Sequence, residues 1–350
     1  MKKIIVFLCI VSFAAAVPVL LLSCGSGGGG IGGGISDEDS FPGSVALYVT
    51  DSLNDYKQVR ITINDIQLEH IGTGAACDVL ENPVTIDITD LSSVLQLLDV
   101  KTCPAIGYNR IIIELDQQTV LTDSNNVSAE CNLATYKDNH GGTNTLQCGD
   151  TCSINMSGAV NVSSNKTNKL ALDFDLKDFD VINFGGPFCS LTMKVFPLNA
   201  SDFDQKHEDG WNERVSGSLS EPDTVEKSFI LTAESGSFTV TYTDVTAPGI
   251  DDLLSRAAAD PLKVKVESSS INLNTRTIAA TALYVEVEGT VSGLNTVDRT
   301  FTLTYQADKQ MLVAYQTDGV EGNLLSDSVV ELKLNGYDGE MYVATEVEVK

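Results

Sequence analysis

The sequence predicts an all-β protein, and three observations predict it. Apolar and polar residues alternate with period two in one segment after another, stretches with helical periodicity are few and short, and the C-terminal part repeats itself. Alternation of this kind describes strands that bury one face, as antiparallel sheets do. The chain therefore reads as a large β-rich half, followed by two small copies of one β module.

In chain order, the first element is not part of that fold. Lys2 and Lys3 precede an apolar run from Ile4 to Leu22 that ends near Ser23 and Cys24. A charged start followed by an apolar stretch is the layout of a secretory signal. The run Leu21-Leu22-Ser23-Cys24 resembles a bacterial lipoprotein box. That resemblance implies cleavage before Cys24, lipidation of its thiol, and a membrane partner reached through the anchor, since two or more acyl chains hold a protein stably where one does not. Residues 1–23 are then the signal peptide and 24–42 a Gly-rich tether, with a root-mean-square reach of roughly 20 to 25 Å from Cys24 to Ser40. Gly25 rather than Asp follows the lipidated cysteine, which implies the outer membrane of a two-membrane bacterium.

Composition narrows the partners. The 22 basic and 48 acidic residues give a net charge of −26, and loss of Lys2 and Lys3 with the signal takes it to −28. So acidic a surface repels phosphate backbones, and no nucleic acid is expected as a partner. An envelope protein or a polysaccharide is the expected partner class.

Residues 43–198 carry the clearest strands. "SVALYVTD" places Val45, Leu47 and Val49 on one face, "VRITINDIQL" does so with Val59, Ile61 and Ile63, and "RIIIEL" and "SLTMKVFPL" follow the same pattern. "ITDLSSVLQLL" reads differently. Thr89 or Asp90 stands as a helix cap, with Leu91, Val94, Leu95 and Leu98 on one face, which predicts a short helix. The stretches "GSVALYVTDSLNDYKQVRITINDIQLEH", "VTIDITDLSSVLQLL", "GYNRIIIEL" and "LALDFDLKDFDVI" together resemble the exported family catalogued as domain of unknown function 4382. The resemblance implies a transthyretin- or immunoglobulin-like β-sandwich and supplies no catalytic residues. The segment from Asn125 to Thr151 is longer than the family pattern requires and is expected to be a loop or hairpin pinned by a disulfide.

Six cysteines fall in this half, Cys77, Cys103, Cys131, Cys148, Cys152 and Cys189, and none follows. An even set in an exported chain reads as disulfides, with fifteen pairings open. A zinc site from Cys131, His140, Cys148 and Cys152 is the competing arrangement, at a looser spacing than zinc motifs use.

Residues 199–212 read as a linker, and beyond them the repeat appears. "VSGSLSEPDTVEKSFIL" aligns without a gap on "VEGTVSGLNTVDRTFTL", so that Val215, Gly217, Phe229 and Leu231 match Val287, Gly289, Phe301 and Leu303. Two modules follow, 213–286 and 287–350. In the first, strands at 214–220, 227–233, 237–243, 262–267 and 277–287 enclose a helix over "IDDLLSRAAA". That is the element order of a five-stranded OB-like barrel. The repeat resembles the exported domain of unknown function 5666. In the second module the helical segment shrinks to "TDGVEGNLLS".

Candidate chemistry is sparse. In "LALDFDLKDFD", Asp173 and Asp175 share one strand face opposite Leu170, Leu172, Phe174 and Leu176, and Asp178 and Asp180 follow. These four carboxylates are the candidate calcium ligands, calcium being the one cofactor the sequence raises, although the EF-hand pattern is missing and a solvated acidic face is the plainer expectation. Tyr242, Tyr284, Tyr305 and Tyr315 are expected to pack in sheets. His70, His140 and His207 are isolated, and the sequence holds no G-x-S-x-G, H-E-x-x-H or phosphate-cradling loop. The expectation is a non-enzymatic envelope lipoprotein used for binding, adhesion or assembly. The competing expectation is a calcium- or carbohydrate-binding module, or a hydrolase sited near His140 or the acids after Leu172.

Overall fold

Alternation becomes strands almost wherever the sequence shows it. A computed structural model describes residues 41–51, 56–138 and 141–350. The first half runs β1 (Gly43–Asp51), β2 (Gln58–His70), β3 (Ala75–Leu80) and β4 (Val84–Asp87), then a 3-10 turn over Ile88–Leu91. It continues through β5 (Val94–Cys103), β6 (Gly107–Asp116), β7 (Gln118–Thr122), β8 (Ser128–Lys137), β9 (Thr143–Thr145) and β10 (Gln147–Cys148). It closes with β11 (Thr151–Asn161), β12 (Thr167–Phe174), β13 (Asp180–Ile182) and β14 (Ser190–Leu198). The signal peptide, Cys24 and the tether up to residue 40 lie outside the described residues, as does His140.

β1 organises this half, lying between β5, antiparallel, and β12, parallel. Its alternation predicts one buried face, yet both faces are buried. Val45, Leu47 and Val49 enter a core made from the first half, whereas Ala46 and Tyr48 enter a second core that extends into the C-terminal modules. The second face is covered because residues 199–212 are not a plain linker. They form helix α1 (Ala200–Glu208), capped by Asn199, whose Oδ1 accepts from Asp202 N at 3.0 Å. Phe203 is the buried apolar residue of this helix and meets Tyr48 edge-on at 5.3 Å between ring centroids. One apolar anchor leaves no helical periodicity to read.

The helix expected over 89–98 is absent. Asp87 caps only the 3-10 turn, its Oδ1 accepting from Thr89 N at 3.1 Å, and Ser93 then takes φ 91° before the chain extends as β5. The reason is two-sided burial. Leu98 faces the first core, and Leu95 and Leu97 face the second. A strand buried on both faces presents a continuous apolar run, which periodicity alone cannot tell from a buried helix.

The C-terminal half keeps the predicted order up to 268, but the single strand expected over 277–287 is broken at 280–281, where the chain changes partner, and a short strand at Ile271–Asn272 precedes it. β15 (Asn212–Asp223), β16 (Ser228–Ala233) and β17 (Gly236–Thr241) precede α2 (Ile250–Ala259), and β18 (Lys263–Ser268), β19 (Ile271–Asn272), β20 (Thr277–Ala279) and β21 (Ala282–Asn295) follow it. The second copy uses the end of β21, then β22 (Thr300–Tyr305), β23 (Lys309–Tyr315), a 3-10 turn (Thr317–Gly319), β24 (Val320–Glu321), β25 (Val329–Tyr337) and β26 (Tyr342–Val349).

Pairings run in a circuit in both copies. β15 pairs with β16, β16 with β17, and β17 in parallel with β20, while β21 pairs with β18 and β18 returns to β15. Ala280 N donates to Thr241 O and Thr281 N to Glu267 O, so the chain changes partner strand between β20 and β21. The second circuit is β21, β22, β23, β26 and β25, again with its parallel step, between β23 and β26.

The copies agree down to single turns. Asp223 and Asn295 each accept from two backbone N–H groups of the following turn, and Lys227 and Arg299 both take positive φ, 52° and 55°. A Cβ on Gly217 or Gly289 would lie 2.3 or 2.4 Å from the carbonyl oxygen of Thr232 or Thr304. Glycine at these matched positions therefore reflects close backbone approach.

Candidate functional site

The six cysteines form three bridges, Cys77–Cys103, Cys131–Cys189 and Cys148–Cys152. This selects one of the fifteen pairings and engages every thiol the zinc arrangement would need. The insertion is a pair of hairpins, β8 with β9 and β10 with β11, and Cys148–Cys152 closes the second. By loop entropy the bridges contribute roughly 3.5, 4 and 2 kcal/mol in chain order.

The four carboxylates proposed for calcium engage lysines. Asp173 is buried under α1, with Oδ2 3.3 Å from Lys206 Nζ, and burial pushes its carboxyl up. Lys194 Nζ donates to Asp175 Oδ2 at 2.7 Å and also to Asp178, whose carboxyl it holds below the ordinary range. Asp180 pairs with Lys137 at 2.6 Å. The solvated acidic face expected here is thus partly an interior one, since α1 covers Asp173. Among the described residues, no three His, Cys, Asp or Glu side chains are grouped to hold a metal ion.

The other predicted residues have structural partners. His70 Nδ1 accepts from Thr73 N at 3.0 Å within a turn. His207 Nε2 lies 3.1 Å from Glu213 Oε1. Glu213 is fully buried and joins the two halves: Tyr48 Oη donates to Oε2 at 2.9 Å, Ile271 N to Oε2 at 3.2 Å, and Lys169 Nζ to Oε1 at 2.6 Å. Burial, and then Glu213 itself, push the Tyr48 hydroxyl well above its usual range. Tyr242, Tyr305 and Tyr315 are buried among strands, as expected, and Tyr284 in β21 is half-buried.

A cleft of about 930 Å³ opens where the first half meets both modules. The first half contributes Arg60 of β2, Asp87, and Asp90 of the 3-10 turn; the first module contributes Arg214, Lys263, Lys265 and Glu286; the second contributes Glu331, Lys333, Glu346 and Glu348. Leu91, Leu97, Leu98 and Leu262 supply apolar lining.

Asp90, sought as a helix cap, is the hub of this cleft. Lys333 Nζ lies 2.6 Å from its Oδ1, Lys265 Nζ 3.1 Å from its Oδ2, and Arg214 Nη1 donates to its backbone carbonyl at 3.2 Å. Burial alone would raise the Asp90 carboxyl, but Lys333 and Lys265 outweigh it and hold it far below the ordinary range. Lys265 also meets Glu286 Oε1 at 2.5 Å, and Lys333 reaches Glu346 at 2.7 Å. Burial pushes Glu346 up despite Lys333.

A second cluster closes the far wall. Arg60 Nη2 lies 3.2 Å from Glu331 and 3.3 Å from Glu348, Lys350 Nζ lies 2.5 and 2.8 Å from the same two carboxylates, and Gln58 donates to Glu348. Burial pushes Glu348 up to about 7, and Glu321, behind the wall, likewise to about 7. Fixed charges of both signs over apolar lining suit an oriented, polar ligand. The sequence does show these side chains, as the polar partners in "KVKVE", "VELKL" and "EVEV". Period two marks them as opposite the core, and tertiary packing alone turns them towards a cleft rather than open solvent.

Residues 42–181 match the family model described as Domain of unknown function (DUF4382), which spans β1 through most of β13. No curated protein matches the chain.

Proposed function

We propose that the chain is an exported, lipid-anchored envelope protein that binds, adheres or assembles without catalysis, and that the cleft is its binding site. One observation carries the reading: the cleft is built jointly by the first half and both modules, so ligand and inter-module geometry are coupled. Three disulfides support export, because such bridges persist in oxidising compartments. Cys24 is the proposed lipidation site and the outer membrane the proposed location. The DUF4382 match and the two-sided burial of β1 support a sandwich for the first half. The strand circuits, each closed through a parallel step, support OB-like barrels and repeats of the domain of unknown function 5666 kind.

Two measurements test this. In a two-membrane bacterium fed labelled palmitate, the chain is expected to carry label and fractionate with outer membrane, and Cys24→Ala to lose both; an unlabelled wild-type chain would overturn the anchor. Immobilised chain is expected to retain a purified envelope protein or polysaccharide, and Glu331→Gln with Glu348→Gln to release it. Unchanged retention would move the site away from the cleft.

A further inference from the structure

We propose that the cleft takes an organic cation, a ligand carrying primary ammonium groups on an alkyl chain; this rests on reading the cleft as the binding site. Its volume of about 930 Å³ falls within the range of small-molecule sites. The sign of the ligand follows from the balance of charges. Seven carboxylates, Glu234 at the rim among them, line the cleft against five cationic side chains, and Lys350 adds a sixth cation that pairs with Glu331 and Glu348, which leaves the acids one ahead. Each of those five already lies within ion-pair distance of a carboxylate: Arg60 with Glu331, Arg214 with Glu267, Lys263 and Lys265 with Glu286, and Lys333 with Asp90. An anion would have to break one of these pairs, whereas an ammonium group can share carboxylates that remain in excess.

Glu286 shows where. It is more than nine-tenths buried and lines the cleft, and Lys263 is the one side chain that engages its Oε2 among the described residues. Lys263 Nζ stands 2.9 Å from that oxygen as an ion pair, on a side chain that is 56% exposed, so a ligand ammonium entering from the cleft competes with a solvent-facing lysine for it. Between the charged walls, Leu91, Leu98 and Leu262 offer a surface for methylenes. Calcium fits this composition poorly, because lysines interleave with the acids and a shell of six to eight oxygens cannot gather.

Protonation supports the same sign. Burial raises Glu348 to about 7; Arg60 and Gln58 oppose the rise, while Asp87 and Glu331 reinforce it. Burial also raises Glu331 and Glu346. A bound ammonium group favours the ionised carboxylates, so binding near pH 7 expels protons.

The test is calorimetric titration of the full chain, in non-ionic detergent and 0.15 M NaCl, with spermidine. Two buffers of different ionisation enthalpy report the protons released. Saturable one-site binding is expected, with release of about half a proton per ligand at pH 7 if Glu348 alone responds, and with affinity rising from pH 6 to 8. Glu331→Gln with Glu348→Gln is expected to weaken binding at least about tenfold. Lys263→Met is expected to strengthen it several-fold, an outcome misfolding cannot imitate. Glu226→Gln with Asp298→Asn, on exposed hairpins, is the control for general surface charge and is expected to change nothing. Non-saturable binding, no proton release, or equal loss in the control pair would place spermidine on the general acidic surface and overturn the inference. If cellotetraose binds instead and the cleft pair abolishes it, the cation is wrong and the cleft reading stands; if neither probe binds, both fall.

Discussion

The first module joins the N-terminal half through backbone pairing and buried contacts, with Arg214 and Lys265 adding polar ones to Asp90, and the second meets it through polar side chains. In the first junction, Asn212–Arg214 of β15 pair in parallel with Val94–Gln96 of β5, Glu213 is sealed among Tyr48, Lys169 and Ile271, and Tyr48, Leu95 and Phe203 share a core with the module. In the second, Gln58 and Arg60 meet Glu331 and Glu348, Asp90 meets Lys333, and Gly322 N donates to Asn126 at 3.2 Å. Copies of one module can thus be fixed by opposite physics. Apolar and backbone contact sets the position of the first, and charge sets the clasp of the second, which leaves a cleft between them whose far wall responds to pH and salt.

The largest test strikes the first junction. Glu213→Ala would leave the Tyr48 hydroxyl, the Ile271 N–H and the Lys169 ammonium without their buried acceptor, and a stability loss of about 3–5 kcal/mol is expected in urea unfolding. A loss under about 1 kcal/mol would mean the sealed carboxylate does not fix the module. A smaller effect is expected at Asp90, which holds Lys333 of the second module and Lys265 on the cleft face of the first. Asp90→Asn weakens two charged contacts but keeps the backbone carbonyl that Arg214 uses, so about 1–3 kcal/mol is expected. Because that term is ionic, it should shrink in 1 M NaCl, whereas the Glu213→Ala loss, being sealed from solvent, should change little. Equal salt dependence in the two variants would erase the distinction between the junctions.

The same distinction governs what the sequence revealed. Strands with one buried face were legible, and so were α2 and the register of the repeat, down to the matched turns at Asp223 and Asn295. Elements buried on two sides were not: Leu91, Val94, Leu95 and Leu98 read as a helical stripe, and Phe203 alone gave α1 no pattern. The DUF4382 resemblance on the "SVALYVTD" and "RIIIEL" strands agrees with the match over residues 42–181. The cleft was illegible for a different reason. Arg60, Asp90, Lys265, Lys333 and Glu348 are far apart in sequence and sit at ordinary polar positions of ordinary strands and turns. Their meeting is a product of module packing, which leaves no local signal.

The smallest expected effect is the most specific to the clasp, and its sign follows from proton linkage. Glu348 and Glu321 titrate near 7 in the folded chain against an ordinary value of 4.5, so between these values the folded state holds protons that the unfolded state has released. Stability from this source is full below about pH 4.5 and is lost as pH rises through 7. Burial raises Glu331, Glu346 and Asp87 in the same direction. Asp90 and Glu286 act oppositely, because their cations hold them below the ordinary range, so their contribution is present above about pH 4 and is lost as pH falls. The two sets together place the stability maximum of the clasp near pH 4.5–5.5. The melting temperature should then decline from pH 5.5 to 8, and Glu348→Gln, which stays neutral throughout, should flatten that decline by about 1 kcal/mol between the two ends, half of the roughly 2 kcal/mol that full linkage gives, because solvent reaches this carboxylate and screens it. A decline of unchanged slope in Glu348→Gln would show that the wall facing Arg60 does not carry the pH dependence, and would return the second junction to the same class as the first.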